Sequence, residues 1–268
     1  MDLNKIYRTA KRRIPGLLSG TIPFLLILFV AATAQADLPG GEKVMQESIK
    51  ALGGEKALAR HHNCMMKGKM AMSGIEMTAI TYSAEPDLSY TRFESPMVGK
   101  FESGCNGDVA WDLSVMQGAS VKEGKELEEG LFDAIFNPEL HWRDRYTDIE
   151  VQAEEEVEGI ACYKVLITPV VGDVATVYYD KKTWLTMRIE KVTNSPNGSI
   201  SVVNSLSDYR MVDGVNVPFK MKMVMMGAQE MTVTYESVEF NVEIPEGTFD
   251  LPAEIRELLA DEQTQEEN

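Results

Sequence analysis

The residues of this chain that could do chemistry are few in type: three histidines, His61, His62 and His141, three cysteines, Cys64, Cys105 and Cys162, and sixteen methionines. Bond-making catalysis ordinarily needs a nucleophile activated by a neighbouring base or a metal. No Gly-x-Ser-x-Gly elbow, His-Glu-x-x-His helix, Walker phosphate loop or Gly-rich dinucleotide fingerprint occurs in the chain. The acidic run Glu154-Glu155-Glu156 reads as a solvated strand edge or loop rather than a catalytic pair. The residues therefore point to binding, with no catalytic residue, no resident metal and no cofactor expected.

Methionine is the unusual component, concentrated in residues 65–77 and 211–231. Met70 and Met72 fall on one face of a predicted strand, and Met221, Met223 and Met225 on one face of another. A flexible, polarizable thioether side chain can repack around ligands of differing shape, so these five are candidate cavity residues; the same pattern also serves ordinary core packing. A third reading is a Cu(I) site, because thioethers are soft ligands and His61, His62 and Cys64 adjoin the first cluster. The cysteines lie 41 and 57 residues apart, which matches no zinc or redox spacing, and all three sit in strand-like context, where a free thiol packs as a small hydrophobe.

The elements that must position these residues are mostly strands. Residues 43–52 have helical spacing, with Val44, Ser48, Ile49 and Leu52 near one side, and Gly53-Gly54 ends the helix. From Cys64 the apolar period switches to two, and strand-like runs follow at 76–83, 89–95, 99–105 and 109–115. Residues 121–137 interrupt them with Leu127, Leu131, Phe132, Ile135 and Phe136 at helical spacing, stopped by Pro138. An amphipathic helix inside a meander must cover apolar sheet surface, so these five residues are expected to face inward, either from a lid made pliable by Gly118, Gly124 and Gly130 or from a fixed helix that closes the core. Strands resume at 148–158, 161–169, 174–179, 185–192, 200–211, 217–226 and 230–241, with Gly172-Asp173, Asn197-Gly198 and Asp213-Gly214 as turns. The fold class is mainly β with helices (α+β): one long curved antiparallel sheet with helices covering a face.

At the N-terminus, Lys5, Arg8, Lys11, Arg12 and Arg13 precede an apolar run over residues 17–32 and then Ala34-Gln35-Ala36, the layout of a secretory signal peptide cleaved after Ala36. Residues 37–259 are expected to form a single domain and residues 260–268 a disordered acidic tail. The full chain carries a net charge of −16. Loss of residues 1–36 removes five basic side chains and one acidic one, leaving about −20, a surface that repels phosphate backbones and excludes nucleic acid as a partner.

The order of motifs resembles the Lol-type outer-membrane lipoprotein-sorting proteins and their lipoprotein-carrier relatives. It runs from Ala51-Leu52-Gly53-Gly54 through Pro86 and Arg92-Phe93-Glu94 to Asn106-Gly107-Asp108-Val109-Ala110-Trp111, where Asn stands for the family's Asp. Tyr179-Asp180, Thr183-Trp184-Leu185, the run Asp208-Tyr209-Arg210-x-x-Asp213-Gly214-Val215-x-x-Pro218, and Phe249-Asp250-Leu251-Pro252 complete it. The resemblance implies an incomplete β-barrel whose mouth is plugged by helices around an apolar cavity for acyl chains. Arg92 is the nearest match to the arginine that latches the lid in some carriers. The function implied is that of a periplasmic carrier or sensor for lipid or acylated protein, served by a membrane delivery partner. The alternative is a non-enzymatic envelope module that binds another protein.

Overall fold

The computed structural model describes the backbone of residues 38–195 and 198–266. The expected signal peptide and Asn197 lie outside the described residues. The strands are β1 Asn63–Met72, β2 Ile75–Ala84, β3 Leu88–Ser95, β4 Gly99–Asn106, β5 Ala110–Ser114, β6 Gly118–Val121, β7 Tyr146–Val157, β8 Ile160–Pro169, β9 Ala175–Asp180, β10 Thr186–Ser195, β11 Gly198–Val212, β12 Val215–Met225 and β13 Gln229–Phe240. They form one curved, open sheet of 13 strands in the order β6-β5-β4-β3-β2-β1-β13-β12-β11-β10-β9-β8-β7, with antiparallel neighbours throughout.

This order follows from two runs of hairpins. Strands β1 to β6 step outward to one edge, β7 to β13 step inward from the other, and β1 pairs with β13 at the seam. The register shifts at Lys67/Gly68, where the Gly68 backbone lies so close to Thr234 and Tyr235 that no side chain would fit.

The main core forms where helices cover the β7 to β13 half. Helix α1 (Gly41–Leu52) buries Val44, Met45, Ser48 and Ile49 on one face. They pack with Leu58 of α2 (Glu55–Leu58) against Val165, Ile167, Val177, Tyr179, Val215, Val217 and Phe219. Asn216 ties the end of α1 down by donating from Nδ2 to the Ala51 carbonyl at 2.7 Å. The helix stops at Gly53, whose φ of 128° suits glycine and whose amide donates to the Lys50 carbonyl.

Three features differ from the sequence expectation. Strand β6 is an additional short edge strand. The inserted helix, α3, covers Gly124–Ala134 rather than 121–137, and a 3-10 turn at Pro138–His141 and helix α4 (Trp142–Arg145) follow it. The chain also ends in helix α5 (Ala253–Glu266), which continues past Leu259 into the segment expected to be a disordered tail. Ile255 is fully buried and anchors its start.

Candidate functional site

Because β6 and β7 are the two sheet edges and are consecutive in the chain, the segment joining them, residues 122–145, must cross the open side of the curved sheet. Helix α3 does so with two sets of contacts. Leu127, Leu131 and Ala134 pack on Cys105 of β4 and Ala110 of β5. An ideal Cβ on Gly130 would stand 2.8 Å from the Ala110 Cβ, so the missing side chain is what lets the helix sit this close. Lys125 meets Asp173, in the β8–β9 turn, at 3.1 Å, and Glu129 meets Lys191 of β10 at 3.5 Å. One helix thus contacts both halves of the sheet.

Beyond Ala134 the chain leaves the helix. Asn137 takes a left-handed φ of 49° and donates from Nδ2 to the carbonyls of Leu58 and His61 at 3.0 and 3.2 Å, and the Phe136 amide donates to the Pro86 carbonyl at 3.0 Å. This turn divides the five lid residues expected to face inward together. Leu127 and Leu131 face the sheet, and Phe136 enters the main core. Phe132, Ile135 and one edge of the buried Phe136 line a cleft of about 740 Å³ with Pro86, His141, Arg145 and Val170. Glu85, Asp87 and Asp144 also line it, so the cleft combines an apolar wall with charged groups.

Arg145 supplies the guanidinium of the cleft, and only 7% of it is exposed. Its Nη1 donates to the Phe132 carbonyl at 2.7 Å, its guanidinium carbon lies 3.7 Å from the Phe132 ring centre, and its Nε has no hydrogen-bond partner among the described residues. The sequence reading missed this residue. Its signal was weak: one arginine of two in Arg143-Asp144-Arg145, set immediately before a strand. Arg92, the nearest sequence match to a latch, lies elsewhere, in the pocket between β2–β5 and residues 245–256, paired with Glu94 at 3.7 Å. Glu139 of the 3-10 turn is half-buried, and burial raises its carboxyl above the usual carboxylate range, opposed by its own backbone amide and by Arg145.

The five methionines meet in a different place. Met70 pairs in register with Met77 and Val233, and Val233 with Met221; Met72 pairs with Met231, and Met231 with Met223. Met70, Met77 and Val233 are buried and make a second cluster, with Met221, Met231, Phe93 and Val98 packed around it. Met225 ends β12 beside the turn into β13. The structure therefore gathers the methionines with one another but not with the cleft.

His61, His62 and Cys64 lie at the opposite end of β1 from Met70 and Met72, roughly 25 Å away at about 3.3 Å per strand residue. His61 is fully buried, stacked on Phe240 at 4.1 Å and hydrogen-bonded to the Asp213 carbonyl and Asn241, while His62 meets Glu85 at 2.8 Å. Met65 and Met66 follow Cys64 directly, so it is Met70, Met72 and Met77 of the first cluster that are remote from these residues. Among the described residues, no group of three or more His, Cys, Asp and Glu converges on a possible metal position. All three cysteines are free and buried, and burial pushes the Cys64 thiol up to about 12. Among the described residues no helix is long and apolar enough to cross a membrane.

No family sequence model matches the chain, and no curated protein does. Solved structures do share its architecture. A DUF1329 family protein from Desulfovibrio piger superposes with a TM-score of 0.56 at 15% identity, covering 81% of this chain and 100% of that one. An outer membrane lipoprotein-sorting protein domain from Vibrio parahaemolyticus gives 0.55 at 14% identity, over 78% and 96%. A LolA superfamily protein from Nitrosomonas europaea gives 0.53 at 9% identity, over 80% and 99%. At these identities the likeness concerns architecture, and the open sheet of 13 strands crossed by a helical segment is a Lol-type fold.

Proposed function

We propose that this protein is an exported, non-enzymatic periplasmic carrier or sensor that binds lipid or an acylated protein in the cleft along the inserted helical segment. The observation that carries this reading is the cleft that segment forms with the turn at 85–87 and Val170, where Phe132, Ile135 and Phe136 offer apolar surface and Arg145 a buried cation beside about 740 Å³ of space. An acyl chain against the aromatic and aliphatic wall would contribute roughly 0.8 kcal/mol per buried CH₂. The positive charge of Arg145 would attract a carboxylate or phosphate at the polar end of such a ligand. The Lol-type fold and the presence of a lipoprotein-sorting domain among the structures that share it support this class of cargo.

A protein-interaction module is the second reading, favoured by one observation: α1, α2, Phe136 and Trp142 already fill the β7 to β13 half of the interior. Native mass spectrometry with lipid extraction, on the exported protein purified without detergent, separates the two. A stoichiometric lipid or acylated peptide supports the carrier. A protein that emerges empty and takes up no acyl probe overturns the carrier and leaves the interaction module.

A further inference from the structure

The two ends of the sheet differ in chemistry. In an antiparallel meander every second turn lies at the same end, so the hairpins β1–β2, β3–β4, β5–β6 and β12–β13 all turn at one end. The turn residues of these four neighbouring hairpins, 73–74, 96–98, 115–117 and 226–228, include no Asp, Glu, Lys or Arg, although 25% of the chain is charged; farther along the same end the β8–β9 turn carries Asp173, paired with Lys125 at 3.1 Å. At the opposite end the turns carry Glu85, Asp87, Asp108, Glu158, Lys181, Lys182 and Asp213.

Large apolar side chains stand in solvent at or beside these four tips. Met97 is 81% exposed, Met116 80% and Val115 76%, joined by Met72 and Met226. Val98 and Ile75 of the same turns pack into the methionine cluster behind them, which gives the tips a common base. Three lysine–carboxylate pairs sit within a few residues of the tips: Lys69–Glu76 at 2.8 Å, Lys100–Glu102 at 2.7 Å and Lys222–Glu230 at 2.8 Å. An apolar crest thus rises from a belt in which each of these lysines is matched by an anion.

We infer that this hairpin crest docks on the surface of a zwitterionic lipid bilayer, with the tips inserted among the upper acyl carbons and the ion-paired belt level with the headgroups. The charge pattern selects this occupant. A crest without charge, above locally neutral pairs on a strongly acidic body, matches a net-neutral headgroup layer and is repelled by an anionic one. The spacing agrees: adjacent tips stand two strands apart, about 10 Å, so each projects alone. A fluid interface accepts separate insertions of roughly 5–10 Å depth. A second protein would need a matching pocket for each tip.

Vesicle flotation of the exported protein tests this. With phosphatidylcholine and phosphatidylethanolamine vesicles the protein should float, and replacing a third of the lipid by phosphatidylglycerol should lower binding several-fold. Met97→Glu with Met116→Glu should reduce partitioning at least tenfold while leaving the circular dichroism unchanged, and Lys182→Glu at the far end should have no effect. If the double variant unfolds, Met97→Trp serves instead, the emission of the introduced indole shifting to the blue and being quenched by brominated lipid when vesicles are added.

A protein that stays with the aqueous fraction, a double variant that floats as wild type, or a Met97→Trp variant whose emission is indifferent to vesicles would each overturn the inference. So would a dimer in light scattering that Met97→Glu with Met116→Glu dissolves, which would assign the crest to a second copy. The cleft is read separately by its cargo, so loss of flotation with cargo retained overturns the crest alone.

Discussion

Arg145 holds Phe132 at both ends: the guanidinium donates to the Phe132 carbonyl at 2.7 Å and covers its ring at 3.7 Å. The two residues belong to α4 and α3, so this contact fastens the start of β7 to the far end of the crossing helix. Arg145→Met keeps the aliphatic stem and removes both interactions. A charge-assisted hydrogen bond is worth about 1.5–3 kcal/mol and a desolvated cation–π contact about 2, offset by relief of burying the charge. The expected net loss is about 1–3 kcal/mol by urea denaturation, with faster amide exchange confined to residues 124–136. Unchanged exchange there would show that Arg145 does not restrain the helix.

The cleft wall gives a binding test. Phe132→Asp places a carboxylate beside Arg145 that would occupy its charge, and Ile135→Asp places one on the apolar wall where an acyl chain would lie, so both oppose an acyl ligand with an anionic head. Each should lower uptake of a fluorescent fatty-acyl probe at least tenfold, whereas Met223→Asp, remote from the cleft, should leave it within twofold. Equal losses in all three would move the ligand out of the cleft.

Gly53 meets two constraints at once, a φ of 128° and close approach to the Gly214 carbonyl. Alanine there should cost about 2–3 kcal/mol, of which the positive-φ penalty supplies roughly 1–2 and the crowding roughly 1–3, partly relieved by relaxation. Gly54→Ala, which meets nothing within 4 Å, should lose only the backbone part. Thermal melts of the two variants should therefore differ.

Burial raises the Cys64 thiol from 9.0 to about 12, so at pH 8 on the order of one molecule in ten thousand carries its thiolate. Ellman's reagent should find no fast-reacting Cys64 in the native protein. The folded state retains the thiol proton longer than the unfolded state does. The stabilisation linked to it is therefore whole below about pH 9 and lost as pH rises through about 12. Tyr90, Tyr179 and Tyr209 are raised in the same direction, burial being the largest cause for each. The melting temperature should fall from about pH 9 upward, and a flat profile from about pH 8 to 11 would contradict the assignment.

Much of the sheet was legible because a half-buried strand must alternate, and runs such as Cys64 to Met72 do. Strand β6 was not, since Gly118–Val121 is four residues long and follows a turn, too short to show a period. Helix α5 escaped because its buried anchor at Ile255 is followed by an acidic stretch that resembles a solvated tail. The lid residues were identifiable by type but not by direction. Helical spacing treats Leu127 through Phe136 as one stripe, and only the turn at Asn137 and Pro138 shows that the last two have left the helix. Arg145 was hidden for a related reason: its partner is a backbone carbonyl, which leaves no mark on side-chain pattern.

The seam between β1 and β13 carries a consequence for how the molecule comes into being. The strand that sits in the middle of the sheet is the last to be synthesised, and its mate is the first. Until Gln229–Phe240 is available, β1 and β12 are both raw edges, and the chain is two unjoined hairpin stacks. Closure is thus a single late event over a very long loop, which slows folding. A chain broken off before β13 would lose the keystone rather than an outer course, leaving two sticky half-sheets in place of one slightly smaller one.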